Sequence, residues 1–250
     1  MKNNPLVSII TVVFNGEKYL EETIQSVINQ SYSNIEYIVI DGGSSDRTIN
    51  IIKKYEDNIS LWKTKKDAGI YDAMNKGLSF ANGDWLNFMN AGDSFVSDNS
   101  VANFMKYSNL DKSLIFSDVL LIDDKGAGKK IVQNGFKKYF FYRNICHQSV
   151  FYNYKKLKKV LFYNLKYMIA ADFDLLLRIY IEDIPNFSIK NNRADVKYLD
   201  GGLSSLSCIE RVDERRDILK ANLSYFSIEH FMNSIKTKFN RSKCKKHRLV

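Results

Sequence analysis

Between Val7 and Met89 short apolar runs alternate with stretches of helical period, and few folds accept that alternation. Val7 to Val13 is β-branched and nearly continuous, as expected of a strand covered on both faces. Glu17 to Asn29 reads as a helix, with Leu20, Ile24, Val27 and Ile28 on one stripe. Ile35 to Ile40 is a second strand, after which Ser44 or Ser45 can cap a helix through Tyr55 with Asp46 in its first turn. Ile59 to Thr64 is a weaker strand. Tyr71 to Ala81 is helical, its Ala73-Met74 and Gly77-Leu78 pairs suiting close packing, and Trp85 to Met89 is a fourth strand. Joined in this order, these elements predict right-handed crossovers and a parallel sheet with helices on both faces.

Beyond residue 110 the pattern loosens. Leu114 to Ile122 and Lys129 to Gln133 read as a hairpin around Asp123-Asp124-Lys125-Gly126. Ser149 to Tyr152 is strand-like, Ala171 to Ile181 is a helix, and Val196 to Leu199 is a late strand before Gly201-Gly202. The fold expected is α/β: a Rossmann-like, mostly parallel central sheet flanked by helices, with a helical C-terminal tail. Residues 1–205 form one domain, a nucleotide-type α/β half (1–110) followed by a mixed half (111–205). Residues 206–250 form the basic tail, in which Ile228, Phe231, Ile235 and Phe239 share a face opposite Lys236 and Lys238.

A chain of 250 residues, 45% hydrophobic, can build a substantial core. Cys146, Cys208 and Cys244 are scattered, with no CxxC pair, which fits a reducing compartment and neither a disulfide framework nor a zinc site. The apolar run Leu6 to Phe14 is too short to span a bilayer and no small-residue cleavage site follows it, so a cytoplasmic protein is expected. The net charge of +9 is uneven. Residues 201–250 hold 11 basic against 5 acidic side chains, and 236–250 hold seven basic ones and no acid. Such a tail is either a solvated terminus or a contact for anionic lipid headgroups at the inner face of a membrane. It lacks an aromatic platform, so nucleic acid is not an expected partner.

Two strands end in acids. Trp85 to Met89 runs into Asn90-Ala91-Gly92-Asp93, and Ile35 to Ile40 into Asp41-Gly42-Gly43-Ser44-Ser45-Asp46. An α/β sheet binds ligands at the carboxyl edge of its strands, where these turns fall. Phe14-Asn15-Gly16-Glu17 lacks GxGxxG and the chain has no GxxxxGK[ST], so phosphates must be held by other means. Asp41 reads as a contact for ribose or base, or as a turn-former. Asp93 reads as a hard ligand for Mg2+ or Mn2+, or as a helix cap.

Three segments carry a resemblance: VSIITVVFNGEKYLEETIQSVINQSY, IEYIVIDGGSSDRT and DAGIYDAMNKGLSFANGDWLNFMNAGD. In order and spacing they resemble the inverting family 2 glycosyltransferases of GT-A fold, and the match resumes at HQSVFY (147–152) and ADFDLLLR (171–178). The branch most similar builds bacterial capsule, O-antigen and exopolysaccharide. The resemblance implies that Val12 and Phe14 cradle the nucleotide base, that Asp41 contacts it, and that Asp67 lies in the next nucleotide-contacting segment. It places Asn90 and Asp93 at the DxD motif that holds a metal on the diphosphate, here with a single carboxylate. It makes Asp172 the catalytic base, with Ala171 where the family's ED pair has Glu. His147 is implied near the acceptor or diphosphate, and Gly201-Gly202-Leu203-Ser204 near the acceptor.

The function expected is transfer of a sugar, with inversion, from a nucleotide diphosphate sugar (usually UDP-linked) to an acceptor hydroxyl, with Mg2+ or Mn2+ as cofactor and a saccharide or lipid-linked saccharide as acceptor. The competing expectations are a nucleotide-sugar-binding protein without catalysis and a nucleotidyltransferase. The second would want a glycine-rich basic loop after the first strand, which is absent.

Overall fold

β1 (Val7–Val13) is buried along its whole length and stands between two parallel neighbours, β2 (Ile35–Asp41) and β4 (Trp85–Phe88). β3 (Leu61–Thr64) extends the parallel set beyond β2. This is the sheet that the alternation of the first ninety residues requires. The computed structural model describes residues 4–123, 126–133, 145–183, 186–199 and 208–222. Beyond β4 the sheet becomes mixed. β8 (Val150–Asn153) lies antiparallel between β4 and β6 (Leu114–Ile122), and β9 (Ser188–Leu199) runs parallel to β6. β5 (Ser94–Phe95) closes the edge antiparallel to β9, and β7 (Gly128–Ile131) pairs with β6 as the expected hairpin. The order is β3-β2-β1-β4-β8-β6-β9-β5.

The period-two alternation of the strands builds two cores. Ile10, Val12, Ile38 and Ile40 face α3 (Ile70–Phe80), α5 (Tyr154–Leu157), α6 (Ala171–Glu182) and α7 (Cys208–Asn222). Val7, Ile9, Val13, Tyr37 and Val39 face α1 (Leu20–Ile28), α2 (Thr48–Lys54) and α4 (Ser100–Met105). Gly77 lets α3 lie close on β1, because a Cβ there would come within 2.5 Å of Ile10. Ile218 and Leu219 of α7 are buried in the first core, so this helix packs with the domain.

Several boundaries move for local reasons. α1 begins at Leu20 rather than Glu17, because Gly16 O takes the N–H groups of Tyr19 and Leu20 in a preceding turn, each at 2.9 Å. Neither Ser44 nor Ser45 caps α2. Ser44 Oγ donates to Asp41, and the N–H of Thr48 goes instead to Asp46 Oδ1 at 3.0 Å. β9 starts eight residues before Val196, in a polar stretch, Ser188 to Asp195. That stretch joins the sheet because its polar groups find partners: Lys190 pairs with buried Asp118 at 2.6 Å, and Asn191 donates to Asp195 at 2.7 Å. The stripe Ile228, Phe231, Ile235, Phe239 and the Gly201-Gly202-Leu203-Ser204 loop lie outside the described residues.

Candidate active site

From β1 the chain builds outward to β2 and β3, then returns to β4 on the other side of β1. Strand order therefore reverses at β1, and loops leaving the carboxyl ends there diverge to leave a crevice. Two groups of side chains gather along that edge.

The first follows β1 and β2. Asp41 is fully buried, and its carboxylate accepts from Gly43 N at 3.0 Å, Ser44 N at 3.1 Å, Thr64 Oγ1 and Ser44 Oγ. It shapes the Gly42-Gly43-Ser44 turn at the carboxyl end of β2. Asp67 abuts the same turn: a Cβ on Gly42 would meet its Oδ2 at 2.5 Å, and its Oδ1 accepts from Gly69 N. Val12 is core, whereas Phe14, the residue after β1, is 64% exposed. Asn15 beside it takes a left-handed φ of 48°, and its Oδ1 accepts from Ser45 N.

The second group brings Asn90, Asp93 and Asp172 together through a turn whose role the sequence left open, His147-Gln148-Ser149. The 90–93 turn needs a glycine at Gly92, where φ is 101°, and Thr23 of α1 pins it by accepting from Gly92 N and donating to Asp93 O. Asn90 Nδ2 meets His147 Nε2 at 3.0 Å. Which atom donates in that contact depends on the tautomer of the ring. His147 Nδ1 in turn faces Asp172 Oδ2 at 3.8 Å. Asn90 Oδ1 is buried and takes no hydrogen bond. Burial pushes the Asp172 carboxyl up, but the hydrogen bond and charge of His147 and the Arg215 guanidinium outweigh it, and its pKa falls below the ordinary value. Arg215 reaches in from α7 and stacks over the Phe173 ring at 5.0 Å.

Asp93 is handled differently. Its Oδ2 accepts from Gln148 Nε2 at 2.7 Å and its Oδ1 from Leu199 N at 3.1 Å. Desolvation dominates and lifts its pKa to about 6, against the pull of these donors and of His147. No helix follows it, so it is not a cap: β5 begins at the next residue.

The sequence matches the family described as Glycosyl transferase family 2 over residues 8–175, a span that ends just after Asp172. The chain belongs to glycosyl transferase family 2. A relative from Mycobacterium bovis, a PGL/p-HBAD biosynthesis glycosyltransferase, is 30% identical over 183 residues, covering 70% of each chain. An uncharacterized glycosyltransferase of Haemophilus influenzae is 42% identical over 113 residues, covering 43% of this chain and 45% of that one. Among solved structures, S. aureus TarS in complex with UDP-GlcNAc superposes with a TM-score of 0.69 at 18% identity, covering 90% of this chain and 70% of TarS. The mannosyltransferase PcManGT from Pyrobaculum calidifontis, in complex with GDP-Man and Mn2+, gives 0.66 at 14%, covering 88% and 64%. These neighbours share the GT-A fold, and the architecture here is the same: a mixed sheet flanked by helices.

The metal that glycosyl transferase family 2 implies does not fit Asp93 as it stands. Both carboxylate oxygens already accept N–H groups, and a divalent ion would have to displace Gln148 and the end of β9. Among the described residues no three His, Cys, Asp or Glu side chains gather to hold a cation. Asp93 instead ties the 90–93 turn to Gln148 and Leu199.

Three residues without an assigned role support this family 2 site. Gln148 was visible only as the neighbour of His147. Glu214 accepts the N–H groups of Met168 (2.7 Å), Ile169 (2.9 Å) and Ala170 (2.8 Å), the residues leading into α6 and Asp172. Glu214 and Arg215 lie beyond the family match, in a polar helix with no motif to announce them.

Proposed function

We propose that the chain transfers a sugar with inversion from a nucleotide diphosphate sugar, UDP-linked by the resemblance of its first half, to an acceptor hydroxyl. The observation that carries this reading is the Asn90–His147–Asp172 array, which sets the expected base beside the turn expected to meet the donor. Asp172 accepts the acceptor proton as that oxygen attacks the anomeric carbon from the face opposite the nucleotide. The bond to the diphosphate breaks and the nucleotide leaves with its electron pair. His147 holds the Asp172 carboxylate ionised and oriented. No step is assigned to a metal. A single displacement inverts the anomeric centre, so NMR of the product from an α-linked donor should show a β linkage. A retained α linkage would remove Asp172 from the role of base.

A role in cell-surface polysaccharide synthesis, with a saccharide or lipid-linked saccharide as acceptor, belongs to this proposal; the M. bovis relative is named for PGL/p-HBAD biosynthesis. A cytoplasmic site with peripheral contact through the basic tail belongs to the same proposal, and co-sedimentation with anionic vesicles tests it. A second reading, nucleotide-sugar binding without catalysis, draws on the engagement of the Asp93 carboxylate. Donor binding with no release of free nucleotide would favour it.

A further inference from the structure

Residues 154–170, which lead from β8 to α6, contain five lysines and no acid. Within seven of these residues, Phe162 (48% exposed), Leu165 (53%) and Met168 (70%) point outward. Isolated exposed apolar residues are ordinary on any protein and need no explanation. Two further facts set this segment apart.

First, it is anchored from beneath. Leu157, Leu161, Tyr163 and Tyr167 are buried in the core between the outward residues. The backbone polar groups are met from the protein side. Arg178 donates to Val160 O and Phe162 O, and Asn75 bonds both Tyr163 N and Tyr163 O at 2.8 Å. Tyr71 Oη donates to Ile169 O, and Glu214 accepts from 168–170. Where backbone groups are satisfied internally, a surface enters the interfacial region of a bilayer without stranding N–H or C=O groups.

Second, its charges divide. Lys155 is paired with Asp84, and Lys156 with Asp111 and Asp183. Among the described residues Lys158, Lys159 and Lys166, all exposed, meet no carboxylate. Exposed apolar side chains close in sequence to lysines without a carboxylate partner complement a surface that is apolar below and anionic above.

We propose that the 154–168 segment is a docking face for an anionic phospholipid bilayer, seating the Asp172 end of the site at the membrane surface. Vesicle binding is read without turnover, so the proposal stands or falls apart from the catalytic role of Asp172. The test uses the full chain with vesicles of phosphatidylglycerol in phosphatidylcholine, measured by co-sedimentation. Lys158→Gln/Lys159→Gln should weaken binding about 30-fold, from about five-fold per lysine. Leu165→Ser/Met168→Ser should weaken it about ten-fold or more. Both variants change exposed side chains and should keep the wild-type melting temperature. Wild-type affinity in both variants, or equal binding of the wild type to pure phosphatidylcholine, would overturn the proposal. So would a lipid-free dimer that Leu165→Ser/Met168→Ser dissolves, since the face would then belong to a second copy.

Discussion

At the scale of single residues, Asp93 and Asp172 are two buried carboxylates with opposite electrostatics. Asp172 is stabilised as an anion by His147 and Arg215, so it contributes stability at neutral pH that is lost as pH falls through its lowered pKa. Asp93 has the reverse sign. Its pKa rises from the ordinary 3.8 to about 6, so the folded chain binds the proton more tightly than the unfolded one. Its contribution therefore favours the folded state at low pH, declines between about pH 4 and about pH 6, and stays flat above. Asp93→Asn should remove that decline, so that the melting temperatures of variant and wild type diverge across this window; parallel curves would refute the burial argument. The sequence made Asp172 legible because it opens an apolar helix in a recognisable motif. It could not show that both oxygens of Asp93 are taken, because Gln148 and Leu199 approach from far along the chain.

At the scale of elements, local pattern was enough wherever one element packs on the sheet by its own periodicity. β1, β2, β4, α1 and α3 are of this kind, and only their ends shifted, through turn contacts such as Gly16 O with Tyr19 N. It failed where polar residues are buried by pairing, as along the first half of β9, and it gave α7 as helix without its packing into the core. α7 matters to the site because Glu214 fixes the backbone that leads into α6. Glu214→Gln keeps one acceptor but brings an amide N–H against the remaining donors. Displacements near 1 Å at a reacting group cost up to about a hundred-fold in rate. Steady-state kinetics should therefore show kcat lowered about 10- to 100-fold with the donor KM unchanged; a raised KM at constant kcat would place Glu214 in donor binding instead.

At the scale of the whole molecule, the sheet divides the work. Its parallel half carries the turn that buried Asp41 holds, with Asp67 and Phe14, and its mixed half delivers His147 on the approach to β8 and Asp172 on α6. Strand reversal at β1 opens the crevice between them, and the Asn90–Asp93 turn joins the two halves through His147 and Gln148. The parallel half and its acid-tipped edge were legible in the sequence because βαβ units repeat one pattern. The mixed half was less so, since its strands pair out of chain order and depend on partners that no local window contains. Sugar transfer at this junction, with Asp172 as base, is the proposal to test first. It is tested most directly by nucleotide release from a donor the wild type turns over, measured for Asp172→Asn with donor affinity determined alongside. Release should fall by at least about 100-fold, as expected for loss of a general base, with affinity within about two-fold of wild type. Release at the wild-type rate would contradict it.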